Sequence, residues 1–112
     1  VPLAQAAFAP KRHIVVQEHP KVYAHRQLMD EKQFICLDNL WTQESHWNPK
    51  ALNKISGAFG IAQFMPTTWA NYNMPYKPKN PILQVKYGLH YISKRYLTPC
   101  RAWIHEQRYG WY

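Results

Sequence analysis

From Tyr23 to Trp47 the chain has neither proline nor glycine, and its apolar positions Leu28 and Ile35, then Phe34, Leu37, Leu40 and Trp41, recur at spacings of three, four and seven. That period predicts an amphipathic helix of about six turns, broken near Asp30. Asn48-Pro49 ends it, because proline disfavours helical backbone in the residue before it. Residues 48–65 set Asn53, Ser56, Gly57 and Gly60 among apolar residues, which predicts a loop or tight hairpin. Pro66-Thr67-Thr68-Trp69 opens a short helix, with hydroxyls available to cap it. Pro75, Pro78 and Pro81 make residues 73–81 an extended connector. Val85, Leu89 and Ile92, with Tyr91 and Tyr96, predict a second substantial helix from Ile82 to Tyr96, ended by Thr98-Pro99. A last helix, Cys100 to about Arg108, precedes the tail Tyr109-Gly110-Trp111-Tyr112. Residues 1–23 carry three prolines and two basic, histidine-containing clusters around Ile14, Val15 and Val16, and read as an arm. The class is mostly α, with a folded unit over 24–112 and no internal repeat.

At 112 residues this is one domain, long enough to bury a core without a dense disulfide or metal framework. The 14 Lys and Arg against 6 Asp and Glu, a formal charge of +8, favour anionic partners such as a cell-wall polymer, nucleic acid or acidic lipid. No stretch approaches the roughly 18 apolar residues of a membrane span, and VPLAQAAFAP is too short and too polar to read as a signal peptide. With 5 Trp, 8 Tyr and 4 Phe, some rings are expected to line a cleft for flat ligands such as sugars. Cys36 and Cys100, far apart in sequence, form no CxxC motif; they fit a single bridge or two buried thiols, and the bridge, with the oxidising compartment it implies, is the expectation.

Phe34, Leu37, Trp41 and Glu44 fall close to one stripe of the first long helix, so a carboxyl stands where a core residue would. Burial disfavours its ionised form, and a carboxyl that keeps its proton near neutrality is what a general acid needs. The alternative is a helix-terminal Glu turned out to solvent. Few acids could assist it. Asp38 lies about 240° around the helix from Glu44, and Asp30 and Glu31 about 20 Å back along its axis. After Glu44 only Glu106 remains, and most glycosidases need two carboxylates. One carboxyl alone favours a mechanism in which the substrate's own group is the nucleophile. Glu106 as a second group would support hydrolysis by water.

Glu44-Ser45-His46-Trp47-Asn48-Pro49-Lys50-Ala51, followed by Gly57-Ala58-Phe59-Gly60-Ile61-Ala62-Gln63-Phe64-Met65-Pro66, resembles the lytic transglycosylase (SLT) domain of the lysozyme superfamily in residues, order and spacing. Asn80-Pro81, Gln84, Gly88 and Tyr91-Ile92 look like the family's later helix. Cys36, Glu44, Cys100 and the closing G-W-Y look most like the branch of secreted actinobacterial cell-wall enzymes and phage tail tape-measure proteins. The resemblance implies a lysozyme-like domain whose long helix ends at the catalytic acid, with a small hairpin or loop over the cleft. It implies cleavage of the β-1,4 bond from N-acetylmuramic acid to N-acetylglucosamine in peptidoglycan, with Glu44 as single acid and base and a 1,6-anhydro product. Ser45 then orients the loop or the acid, Gln63 faces the sugar, Gly57 and Gly60 allow close backbone approach, and Tyr91 lines the cleft. Trp47 and Phe64 flank the motif and are the aromatics best placed to touch sugar. The family's A-Y-N motif is not recognisable, and Trp103, His105 or Tyr109 could take its place.

Six histidines lack metal-ligand spacing, so neither metal nor cofactor is expected. His46 could tune Glu44 or be an exposed loop residue, and Lys86, His90, Lys94 and Arg95 form either a solvated face or one that attracts an anionic wall. The expected partner is peptidoglycan, not nucleic acid or membrane, met by a monomeric domain that is extracytoplasmic or virion-associated. A hydrolytic muramidase, a catalytically weak carbohydrate-binding module and a basic nucleic-acid-binding domain are the alternatives.

Overall fold

The computed structural model describes residues 18–112. Residues 1–17, most of the expected arm, lie outside them. Residues 20–23 form the first turn of a helix, so the folded unit starts a few residues earlier than the hydrophobic pattern suggests.

The described chain is helical, with helices α1 (Pro20–Leu28), α2 (Glu31–Ser45), α3 (Pro66–Asn71), α4 (Pro81–Tyr96) and α5 (Pro99–Tyr109). Each begins where the sequence supplies its own start signal. Pro occupies the first turn of α1, α3, α4 and α5, where a missing N–H costs nothing. His19, Asp30, Asn80 and Thr98 accept orphan amides from Lys21, Gln33, Ile82 with Leu83, and Arg101. Met65 caps α3 with no side-chain bond, and the two Thr hydroxyls do not serve there.

The helix expected to break near Asp30 does break there, into two. Met29 takes a left-handed φ of 51° and returns its N–H to His25 O, ending α1, and Asp30 starts α2 at once. α2 stops the same way at His46, φ 55°, and Trp47 repeats the left-handed turn at 58°. The chain doubles back there, and residues 46–65 form a loop tied by isolated antiparallel bridges, Leu52 to Phe59 and Phe59 to Phe64.

α2 packs on α5 and α1, α1 on α4, and α4 on α5. Leu37, Leu40, Trp41, Ile61, Trp69, Val85, Ile92 and Ala102 are buried in the core. Trp41 sits so close to α4 that a Cβ on Gly88 would stand 2.6 Å from its ring. Cys36 and Cys100 are disulfide-bonded, joining α2 to the start of α5.

Candidate active site

Glu44 lies in the last turn of α2, partly buried, as the stripe through Leu37 and Trp41 requires. Burial pushes its carboxyl up to about 8; a hydrogen bond with Glu106, then the charge of that neighbour, add to the rise. No cation acts on it, and His46, its near neighbour in sequence, is absent from the groups that do. Asp38 points elsewhere, as its helical angle predicts: it accepts from the Trp47 indole at 2.8 Å and pairs with Lys21 at 3.3 Å.

Glu106 is the residue that brings a second carboxyl to Glu44. It is 3% exposed, and Gln43 Nε2 donates to its Oε2 at 3.0 Å. Its sequence signal is a core register on α5, since Pro99, Ala102 and Glu106, spaced three and four apart, are the buried residues of that helix.

The loop is tied to the end of α2 and to α4. Ser45 Oγ donates to Ile61 O at 2.7 Å, with Trp41 O also within reach at 3.2 Å, and so ties the end of α2 to the loop. Gln84, fully buried on α4, accepts from Ile61 N at 2.8 Å and donates to Pro49 O and Pro78 O at 3.0 and 2.8 Å, fastening three chain segments at once. Gly60, at φ +91°, is obligatory here: a Cβ would stand 2.5 Å from Gln84 Oε1. Gln63, also left-handed at 55°, spends its amide hydrogens on Ala51 O and Gly60 O. Gly57 O receives the Tyr76 hydroxyl at 2.8 Å. Tyr91 is half-buried, its ring 5.1 Å from Phe64.

Two of the aromatics expected to touch sugar belong to the core instead. The left-handed turn at His46 and Trp47 folds the Trp47 indole onto Trp41, centroids 5.1 Å apart, leaving it 6% exposed. Phe64, 3% exposed, is enclosed by Trp69, Tyr72 and Tyr91.

From the C-terminal segment, Tyr112 is the residue on which the charge of Glu44 acts. Its hydroxyl accepts from Trp41 Nε1 at 2.8 Å and donates to Ala62 O at 2.7 Å. Burial drives that hydroxyl well above the ordinary phenol range; the Trp41 N–H opposes the rise, and the charges of Glu44, Tyr91 and Glu106 add to it. His105 instead contacts Trp111 O, and Tyr109 is exposed. Gly110, left-handed, ends α5 and lets the tail return.

A cavity of about 570 Å³ is lined by Pro49, Lys50, Phe59, Lys77, Lys79 and Pro81, and includes none of Glu44, Glu106, Gln63 and Tyr91. Among the described residues no group of three or more His, Cys, Asp or Glu could hold a metal, and no helix is long and apolar enough to cross a membrane.

A partly buried carboxyl held up to about 8, at the end of a long helix that is tied to a loop, has the proton affinity that a general acid needs. The chain matches the transglycosylase SLT domain over residues 24–105 and belongs to that family. No curated protein and no solved structure matches it. The family match stops one residue before Glu106 and does not reach Tyr112.

Proposed function

We propose that this domain is a peptidoglycan lytic transglycosylase with Glu44 as its acid and base. Family membership supports the reaction class and the substrate. The observation that carries the finer reading is the contact between the two carboxyls. Water-mediated glycosidases keep their acids about 5 to 9.5 Å apart to leave room for a nucleophile or a water. Here Glu106 is near enough to Glu44 to raise its pKa through a hydrogen bond and through its charge, which favours a pair with no water held between them.

The steps balance without water. Glu44 gives its proton to the glycosidic oxygen, the C1–O bond breaks, and the bonding pair leaves with the N-acetylglucosamine alcohol. The cationic C1 of the muramic acid is met by its own N-acetyl oxygen. Glu44, now a carboxylate, takes the proton of the C6 hydroxyl as the C6 oxygen closes on C1 and the N-acetyl oxygen leaves C1 with its electron pair. The product is a 1,6-anhydro ring and the acid is restored. Gln63, Tyr91 and the backbone at Gly57 and Gly60 are the proposed substrate contacts, and Ser45 holds the loop to the acid. The disulfide supports an extracytoplasmic site of action, where peptidoglycan is found.

Mass spectrometry of fragments released from purified peptidoglycan tests this. Products lighter by one water than hydrolytic ones, and absent with Glu44→Gln, are expected. Hydrated reducing ends would make the enzyme a muramidase, and release that survives Glu44→Gln would remove Glu44 from its role.

A further inference from the structure

Glu106 has no part in the scheme above, yet the fold buries it beside the acid. Its Oε2 is held by Gln43; its Oε1 is buried and receives no hydrogen bond from any amide, hydroxyl or ring nitrogen of the described residues. Two groups nearby have a proton: the Tyr96 hydroxyl, which makes no hydrogen bond, and the Glu44 carboxyl, whose pKa a hydrogen bond with Glu106 raises. An orphaned carboxylate oxygen in the interior is costly unless something donates to it.

We propose that Glu106 is a positioning residue: its carboxylate accepts a hydrogen bond from the Glu44 carboxyl, keeps the proton on Glu44 and aims it, until a glycosidic oxygen replaces Glu106 as the acceptor. The inference rests on Glu44 being the acid. The proton passes from Glu44 to the leaving oxygen and none is transferred to Glu106, so the pair then carries two negative charges facing the cationic C1. That charge also raises the affinity of Glu44 for the C6 hydroxyl proton, which resets the site. Two carboxylates this close do not both stay ionised in the resting enzyme.

The groups facing Glu106 fit a shared proton. From α2 come Glu44 and Gln43, from α4 the buried Tyr96 hydroxyl, which makes no hydrogen bond, and from the tail the Tyr112 hydroxyl, whose proton goes to Ala62 O; burial first, and the charge of Glu106 last, raises both phenols, so both are neutral at neutral pH. Arg95, on the same turn as Tyr96, acts on that phenol and stacks over Tyr91 and Trp111. No cation is among the groups acting on Glu44.

The test is the pH profile of kcat/KM on soluble glycan strands for wild type, Glu44→Gln, Glu106→Gln and Glu106→Asp. Glu106→Gln is expected to act at pH 5 within about threefold of wild type, to lose more than about tenfold at pH 7.5, and to move the alkaline limb down by about 1 to 2 units. Glu106→Asp, which keeps the charge, should restore part of that limb. An unmoved limb overturns the proposal, and so does loss of activity at every pH in a folded Glu106→Gln, which would put Glu106 in the chemistry itself. Activity retained by Glu44→Gln would instead overturn the assignment of the acid. If Glu106→Gln does not fold, carboxyl-carbon NMR of the wild type decides: two glutamate signals moving together in one high-pH step support the shared proton, and independent titrations overturn it.

Discussion

The Trp41 indole N–H donates to the Tyr112 hydroxyl at 2.8 Å, joining the centre of the core to the last residue of the chain. The same hydroxyl donates to Ala62 O at 2.7 Å, so one phenol satisfies two groups from two other segments. The loop carrying Gln63 is thereby fixed against the helix carrying Glu44.

Tyr112→Phe removes the oxygen and leaves both partners without it. A buried donor left unpaired costs about 1 to 3 kcal/mol. We expect chemical denaturation to show that loss, and cleavage to fall further than stability explains, because Ala62 and Gln63 are freed beside the acid. Unchanged cleavage in the folded variant would remove Tyr112 from the site.

Glu44 also makes the fold sensitive to pH. In the unfolded chain its carboxyl ionises near 4.5, and in the fold near 8, so between those values the native state holds a proton that the unfolded chain has lost. Its contribution to stability is complete below 4.5 and declines as pH rises through 8. Glu44→Gln should therefore stabilise the domain at pH 7.5, by on the order of 1 kcal/mol after solvent screening of a partly exposed group is allowed for. Thermal melts across pH 4 to 8.5 check this: the two proteins should converge at the acid end. Catalytic rate should fall over the same alkaline range.

Gln84 is the polar hinge of the core. Gln84→Leu fills much the same space but strands Ile61 N, Pro49 O and Pro78 O, with an expected cost on the order of 3 kcal/mol. Amide exchange should show the loss first at Ile61. Gly60→Ala should act in the same place from the opposite side, by driving a methyl into Gln84.

Reduction of Cys36–Cys100 opens a loop of 64 residues, worth about 4 kcal/mol in the chain-entropy account. A melting temperature that is unaltered by reductant would contradict this.

The helices were legible because their termini are spelled out in proline and in capping side chains, and because leucine and tryptophan keep helical register through α2. Glu44 was legible by the same register. Trp47 and Phe64 were not: an aromatic side chain declares that it is apolar, but the left-handed backbone at His46 and Trp47 decides which way it turns. Glu106 carried a readable signal, its spacing from Pro99 and Ala102, obscured by a charged identity that suggests surface. Tyr112 had none, since a tail that returns across the molecule leaves no local period.

The Cys36–Cys100 bridge joins the two helices that carry the two carboxyls. It lies about 12 Å along α2 from Glu44 and about 9 Å along α5 from Glu106. A covalent tie there holds the two helices in one register. In mechanical terms the disulfide is a brace that holds the two carboxyls at one spacing.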